Sequence, residues 1–381
     1  MKIRVLHLIT GLPVGGTQMM LTKLVAAMDR TAFDVEVASL EVLRPMAERI
    51  SSFGVPVQTL EMRSGRLDPR RLLRFVGWLR RGRFDVIQTW MYHADLLGGL
   101  AAKLAGRLPV AWGIRQSNLD PRHNKRSTLG IVKACAKLSS WLPSRIVCCS
   151  EVARQVHAEA GYDADKLMVI PNGFDLQTFR PDPQARLALR RELGLADSAI
   201  LIGHVARFDT QKDHRTLMQA AGLLEDAAED VHFVLCGEGV DADNPLLRRW
   251  IGDAGVAARC HLLGLRQDVH RVHAALDIGV CSSVGEGFSN AIGEAMACGV
   301  PCASTDVGDS SLLVGDTGRV VSPGEPAALA AACRDLLRIG SEERSRLGRA
   351  ARQRISERFS LPAVTAQYES LYRDLAAHVR H

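Results

Sequence analysis

No stretch of this 381-residue chain runs uncharged and apolar for the roughly 18 residues that a membrane-spanning helix requires. The opening MKIRVLHLITGLPVGG carries only a short apolar run that passes straight into a glycine loop. It lacks the longer apolar segment and small-residue cleavage site of a secretory leader, so a cytoplasmic location is expected. No Cys-x-x-Cys pair or Cys/His cluster occurs. The nine cysteines are odd in number and scattered, with only Cys148 and Cys149 adjoining, which argues against both a zinc site and a disulfide framework. A Gly-x-Gly-x-x-Gly fingerprint is also missing: Gly11-x-x-x-Gly15-Gly16 is wrongly spaced and Gly237-Glu238-Gly239 lacks the third glycine. A dinucleotide oxidoreductase is therefore disfavoured. No helix-turn-helix, zinc-finger or RNA-binding signature accompanies the basic residues, so no nucleic acid is expected as partner.

What is present suits two packed domains. Hydrophobic residues make up 47% and charged residues 24%, with a mean hydropathy of +0.01, which excludes a disordered or fibrous chain. Val5–Ile9 reads as a buried parallel strand, followed by Gly11, Gly15 and Gly16 and by Thr17 as an expected N-cap. Leu21, Leu24, Val25 and Met28 then repeat with helical spacing. Strands recur at Phe33–Leu40, near Asp85–Gln88, at Val110–Ile114 and at Ile146–Cys149, with helical stretches between. After Phe179-Arg180-Pro181-Asp182-Pro183 the rhythm restarts. Strands are expected at Ile200–Val205, Val231–Cys236, His261–Leu263, Ile278–Ser282 and after Pro301, and a helix at Leu217–Leu224. The alternation predicts an α/β chain of two Rossmann-like, doubly wound domains facing a central cleft, with ligands at the carboxyl ends of the strands. The expected division is residues 1–178, residues 179–360, and a last helix in 361–381, around Val364–His378, crossing back onto the first domain.

Charge is unevenly placed. Residues 1–180 hold 26 lysines and arginines against 15 acids, and residues 181–381 hold 22 against 27. Much of the excess lies in Arg63, Arg66, Arg70, Arg71, Arg74, Arg80, Arg81 and Arg83, interleaved with Leu67, Leu72, Leu73, Phe75, Trp78 and Leu79. Arg122, Lys125, Arg126, Lys133 and Lys137 add a second basic stretch. Basic and apolar residues in this mixture suit docking on an anionic bilayer, and equally suit an amphipathic helix with a solvated arginine face.

The most specific segment is Glu286-Gly-Phe-Ser-Asn-Ala-Ile-Gly-Glu294-Ala-Met-Ala-Cys-Gly-Val-Pro301. A strand leads through a glycine loop into a helix opening near Phe288–Asn290, and such a helix start presents free N–H groups and a positive dipole end to a phosphate. Glu286 in the loop and Glu294 in the helix are acceptors for sugar or ribose hydroxyls, or two solvated glutamates of a capped helix.

This segment is similar to the E-x7-E signature of retaining glycosyltransferases with the GT-B fold, the fourth glycosyltransferase family. Other segments resemble that family in the same order: the Gly15-Gly16-Thr17 loop, the Ile170-Pro171-Asn172-Gly173-Phe174-Asp175 hinge with Phe179, and Gly203 through Arg207 to Lys212-Asp213. Cys236-Gly237-Glu238-Gly239 and Leu263-Gly264 complete a resemblance that covers nearly the whole chain. It implies a retaining hexosyltransferase taking a nucleotide diphosphate sugar, with no cofactor and no metal. Arg207 and Lys212 would bind the donor diphosphate, and Glu294 the ribose. Glu286, with the N–H groups of Gly287, Phe288 and Ser289, would position the sugar and phosphate, and Gly16, Gly237 and Asn290 would complete the donor site. Gly15, Thr17, His93, Arg115 and Asn118 would lie on the acceptor side, with His93 orienting acceptor or sugar.

The chain departs from the family at Arg115, where many relatives place a histidine that contacts the donor sugar. Arginine is no base at neutral pH but binds phosphate or an acidic sugar. His270-x-x-His273 is expected on a helix surface. The basic first half favours a glycan or lipid-linked acceptor of surface polysaccharide or lipopolysaccharide assembly, handled by an enzyme on the inner face of the cell membrane. A nucleotide-sugar epimerase of the same fold and a catalytically dead nucleotide-sugar-binding scaffold are the alternative readings.

Overall fold

Two parallel sheets carry the molecule, each with the strand order of a doubly wound fold. The computed structural model describes residues 2–42, 45–62, 68–106, 108–122, 124–224 and 230–377. Arg63, Arg66, Leu67 and His378, all used in the sequence reading, lie outside the described residues. The chain divides into Met1–Gly173 with Leu361–His381, and Phe174–Ser360.

In the first unit the strands are β1 (Ile3–Ile9), β2 (Phe33–Ser39), β3 (Val57–Thr59), β4 (Val86–Trp90), β5 (Val110–Ile114), β6 (Arg145–Cys148) and β7 (Leu167–Val169), in the order β3-β2-β1-β4-β5-β6-β7. β1 is buried on both faces, as a central parallel strand must be: Val5, Leu6, Leu8 and Ile9 are fully enclosed, and so is His7, whose Nδ1 accepts from Trp90 Nε1 at 3.1 Å. Helix Gly16–Ala27 follows, and Leu21, Leu24 and Val25 form its buried face as their spacing predicts. Thr17 does not cap it. The N-cap is Gly15, in extended backbone and without a side-chain bond, and Thr17 lies inside the first turn.

The final helix, Leu361–Ala377, belongs to this unit. Val364, Tyr368, Leu371, Tyr372 and Leu375 join Val5, Ile9 and Trp90 in one core. It begins earlier than Val364, taking Pro362 into its first turn, where a missing N–H costs nothing.

The second unit consists of β8 (Ile200–Val205), β9 (Val231–Cys236), β10 (Cys260–Leu262), β11 (Ile278–Cys281), β12 (Cys302–Thr305) and β13 (Arg319–Val321), ordered β10-β9-β8-β11-β12-β13. Ile202, Phe233, Leu235, Val280 and Ala303 line its sheet and pack against Leu217, Leu247, Leu329 and Leu336 from helices. Where the chain enters and leaves this unit, Phe174 N–H donates to Phe359 O at 2.9 Å. Strand order reverses between β1 and β4 and again between β8 and β11. In open α/β sheets the loops leaving the carboxyl ends of the strands at such a reversal are the usual ligand position.

Candidate active site

In the second unit the loops after β8 and β11 meet at such a reversal. Ser282 Oγ donates to Lys212 O at 2.9 Å and Val284 N–H to Gln211 O at 2.8 Å, which binds the two loops together. The first of them is a 3₁₀ turn, Thr210–Lys212, capped by Asp209, and Asp213 then caps helix His214–Gly222 through Thr216 N–H. This geometry brings Lys212 Nζ to 2.5 Å from Glu286 Oε1. Burial alone would pull the Lys212 ammonium down, but the Glu286 carboxylate beside it prevails and its pKa stands above the usual lysine value. Both side chains are largely enclosed, 23% exposed for Lys212 and 12% for Glu286. Arg207 is more open, at 55%, with Nη2 3.3 Å from Asp209 Oδ2.

The Arg207 segment is seated by backbone. Ala206 N–H donates to Cys236 O at 2.9 Å and Phe208 N–H to Glu238 O at 2.7 Å. A Cβ on Gly237, whose φ is +157°, would lie 2.1 Å from Ala206 O, so only glycine allows this approach.

Helix Asn290–Ala297 starts from the uncapped Ser289. Among the described residues the N–H groups of Gly287, Phe288 and Ser289 have no protein acceptor. They and the helix dipole form an anion-ready terminus. The Phe288 ring itself turns inward, packed on Phe174 and Phe359. Gly293 must stay small, because a Cβ there would strike the Phe174 ring at 2.0 Å.

Glu294 lies in the same helix, its Oε2 3.7 Å from His273 Nε2. The expectation of a surface His270/His273 pair is corrected at His273. It is 2% exposed, stands edge-on to Phe179, and burial pushes its pKa down to about 3. The two histidines are neighbours on one side of helix Val269–Ala275, and that side is only half sunk, so His273 is enclosed while His270 stays partly exposed at its margin.

In the first unit Gly15, Gly16 and Thr17 occupy the turn from β1 into its helix, and Gln18 Nε2 reaches back to Gly11 O at 3.0 Å. His93 is the second residue of helix Tyr92–Ala105, after β4. Burial lowers its pKa, partly opposed by Glu41, which favours the neutral imidazole. The preceding Met91 sits at φ +74°, ψ 153°, a conformation that favours glycine, and its N–H is held by Gly113 O at 2.9 Å. Asp95, two residues beyond His93, accepts from Thr89 Oγ1 at 2.5 Å and Gly113 N–H at 3.1 Å, and burial pushes its carboxyl up to about 7. His273 was visible in the sequence only as one of a histidine pair, and the enclosure of Asp95 and His273 carried no signal there, since the partners that matter lie on neighbouring elements.

Arg115 directly follows β5 and is engaged by the protein: it bonds Asn172 Oδ1 and Tyr368 Oη, and its guanidinium lies 5.2 Å from the Trp90 ring centroid. Asn118 belongs to a self-bonded loop, its Oδ1 accepting from Asp120 N–H at 2.8 Å and its carbonyl from Gln116 and Asn124. Helix Pro69–Gly82 carries the first basic stretch. Phe75 and Leu79 are buried and Trp78 packs between Phe75 and Phe84, so of its apolar residues Leu73 faces outward most, among Arg70, Arg74, Arg80 and Arg81. Among the described residues no group of three or more His, Cys, Asp or Glu side chains could hold a metal ion, and no helix is long and apolar enough to cross a membrane.

Residues 14–178 match the family model described as Glycosyltransferase Family 4, and residues 199–338 the one described as Glycosyl transferases group 1. The chain belongs to the group 1, family 4 glycosyltransferases. It is 27% identical over 250 residues to UDP-Gal:alpha-D-GlcNAc-diphosphoundecaprenol alpha-1,3-galactosyltransferase of Escherichia coli, a match covering 65% of this chain and 64% of that enzyme. Over 284 residues it is 32% identical to D-inositol 3-phosphate glycosyltransferase of Mycolicibacterium gilvum, covering 72% of this chain and 58% of that enzyme. The chain thus spans less than two thirds of the length of either. Its fold is similar, with a TM-score of 0.85 and 23% identity, to that of Anabaena HepE in complex with UDP and glucose, covering 98% of this chain and all of that one. The two Rossmann-like units are those of the GT-B fold.

Proposed function

We propose that this glycosyltransferase-family chain moves a hexose from a uridine diphosphate sugar to a glycan or lipid-linked acceptor of cell-surface polysaccharide or lipopolysaccharide assembly, with retention at the anomeric carbon. The Lys212–Glu286 contact carries the reading, because a cation suited to a diphosphate and a carboxylate suited to sugar hydroxyls stand 2.5 Å apart. Arg207 and Lys212 neutralise the leaving diphosphate, and the N–H groups of Gly287, Phe288 and Ser289 add an oriented dipole. Glu286 holds the sugar and Glu294 the ribose. The acceptor hydroxyl oxygen bonds to the anomeric carbon on the face that the diphosphate leaves, and its proton passes to the departing phosphate oxygen.

The uridine nucleotide is supported by the names of the E. coli relative and the Anabaena neighbour. On the first unit His93 orients the acceptor, with Gly15, Thr17, Arg115 and Asn118 on the same side, and Gly16 serves the donor. The charge balance at the donor diphosphate rests on protein cations, so we propose a reaction without metal. Exposed Arg70, Arg74, Arg80, Arg81 and Arg83, with Leu73 at 67%, support docking on an anionic inner-leaflet surface.

Thermal unfolding with nucleoside diphosphates, in chelator, tests the donor site. UDP at 100 times its Kd should add about 2.7 kcal/mol of stability. Arg207→Ala, at an exposed position, should melt as wild type does yet lose the UDP shift. A wild type that ignores UDP sinks the donor reading. Product analysis separates the remaining alternatives: an epimerase converts the nucleotide sugar and releases no UDP, and a dead scaffold binds without turnover.

A further inference from the structure

Glu286 is held by more than Lys212. Ser283, fully buried in the loop just after β11, donates its hydroxyl to the same Oε1 at 2.7 Å. Ser283 is itself anchored from the next strand. Thr305 Oγ1, 1% exposed on β12, donates to Ser283 O at 2.6 Å, and Cys281 Sγ lies 3.3 Å from Ser283 Oγ. A serine hydroxyl has one proton to give and an ionised carboxylate only accepts, so the direction of the bond is fixed. The row Thr305, Ser283, Glu286 runs from the sheet into the loop.

The Cys281 thiol also points at Oε1, at 3.9 Å, and the two stronger donors, Lys212 and Ser283, differ in what a ligand does to them. On the donor-site reading above, the Lys212 ammonium turns toward phosphate oxygens when the nucleotide arrives, and its hold on Glu286 weakens. Ser283 is buried beneath the carboxylate and carries no charge for a phosphate to attract. We infer that Ser283 is a positioning residue for Glu286: it keeps the carboxylate aimed at the transferred sugar while Lys212 serves the diphosphate. Recognition of the sugar then depends on Ser283, and recognition of the nucleotide does not.

Titration with UDP and with UDP-hexoses, alongside hydrolysis of the same UDP-hexoses without acceptor, tests this on purified full-length protein. In Ser283→Ala the Kd for UDP stays at the wild-type value, while kcat for UDP-hexose hydrolysis falls by about 10- to 100-fold, the loss of one hydrogen bond to a charged group. Thr305→Val keeps the Ser283 hydroxyl but removes the bond that anchors Ser283 O, and gives the same split with a smaller fall. It also stands in should Ser283→Ala not fold. Equal losses of UDP and UDP-hexose binding in these variants would mark a merely structural serine and overturn the inference, and so would unchanged hydrolysis. A wild type that binds no UDP overturns the donor reading, and this inference with it.

Discussion

Lys212 and Glu286 neutralise each other in an environment that gives water little access, so each is the other's main counter-charge. Taking away one partner leaves a largely buried charge uncompensated, a change that commonly costs several kcal/mol, whereas removing both leaves nothing to compensate. Lys212→Met should therefore lower unfolding stability by about 1–3 kcal/mol, and Lys212→Met/Glu286→Gln should recover part of that loss while remaining inactive. Urea titrations of the three proteins check it, and a double variant less stable than Lys212→Met would refute it. The members of this pair were legible because their segments resemble the signature stretches of the family; a charged residue in a loop after a strand would not have singled them out by itself. The settings of Ser283, Asp95 and His273 were not legible, since each is defined by a partner brought in through the fold: Glu286 and Thr305 for Ser283, Thr89 and Gly113 for Asp95, Glu294 and Phe179 for His273. Arg115 shows the same limit from the other side. Its charge was visible, but its engagement by Asn172, Tyr368 and Trp90 required the final helix to be in place.

Among the elements, the long central strands announced themselves through continuous apolar runs, and of the four sheet edges only β10 was expected, at His261–Leu263. β3, β7 and β13 are three residues each and only half-buried, too short for any periodicity to register. Helix Pro69–Gly82 was amphipathic on sight, yet the inward turn of Phe75 and Trp78 is settled by packing with Phe84. The loop carrying Gly237 gives the prediction at this scale. An alanine there places its Cβ against a backbone oxygen, not a side chain that can swing away, and the β8–β9 loops must separate. Gly237→Ala should destabilise the second unit by about 2 kcal/mol or more and weaken UDP binding by displacing Arg207. Gly239→Ala meets only the Phe208 side chain, at 3.2 Å, but carries the strain of φ +71°, so it should destabilise without moving Arg207 as far. Melting curves and UDP titration of the two variants separate these effects, and equal UDP affinities in both would contradict the assignment.

Across the whole molecule, the folded chain holds histidines neutral that water would let charge. Burial takes His7 and His273 to about 3, His157 and His204 to about 4, and His214 to about 2. The unfolded chain binds protons at these residues near the ordinary value of about 6.5. Between about pH 6.5 and pH 4 the unfolded state therefore carries protons that the native state refuses, so stability rises with pH in that window. The contribution is complete above about pH 6.5 and is lost progressively on acidification. Asp95 works the other way: with its folded value at about 7, the native state takes up a proton that an unfolded aspartate refuses until about pH 4. Each group sets a slope of at most about 1.4 kcal/mol per pH unit, so one carboxyl offsets one of the histidines and the rest prevail. The protein should melt at a clearly lower temperature at about pH 5 than at about pH 7. Both units should weaken together, since His7 and His157 lie in the first and His204, His214 and His273 in the second. A melting temperature that holds steady or rises over that interval would mean that these imidazoles reach water or a counter-charge in the native state, and the enclosed cores described for both sheets would have to be opened at those positions.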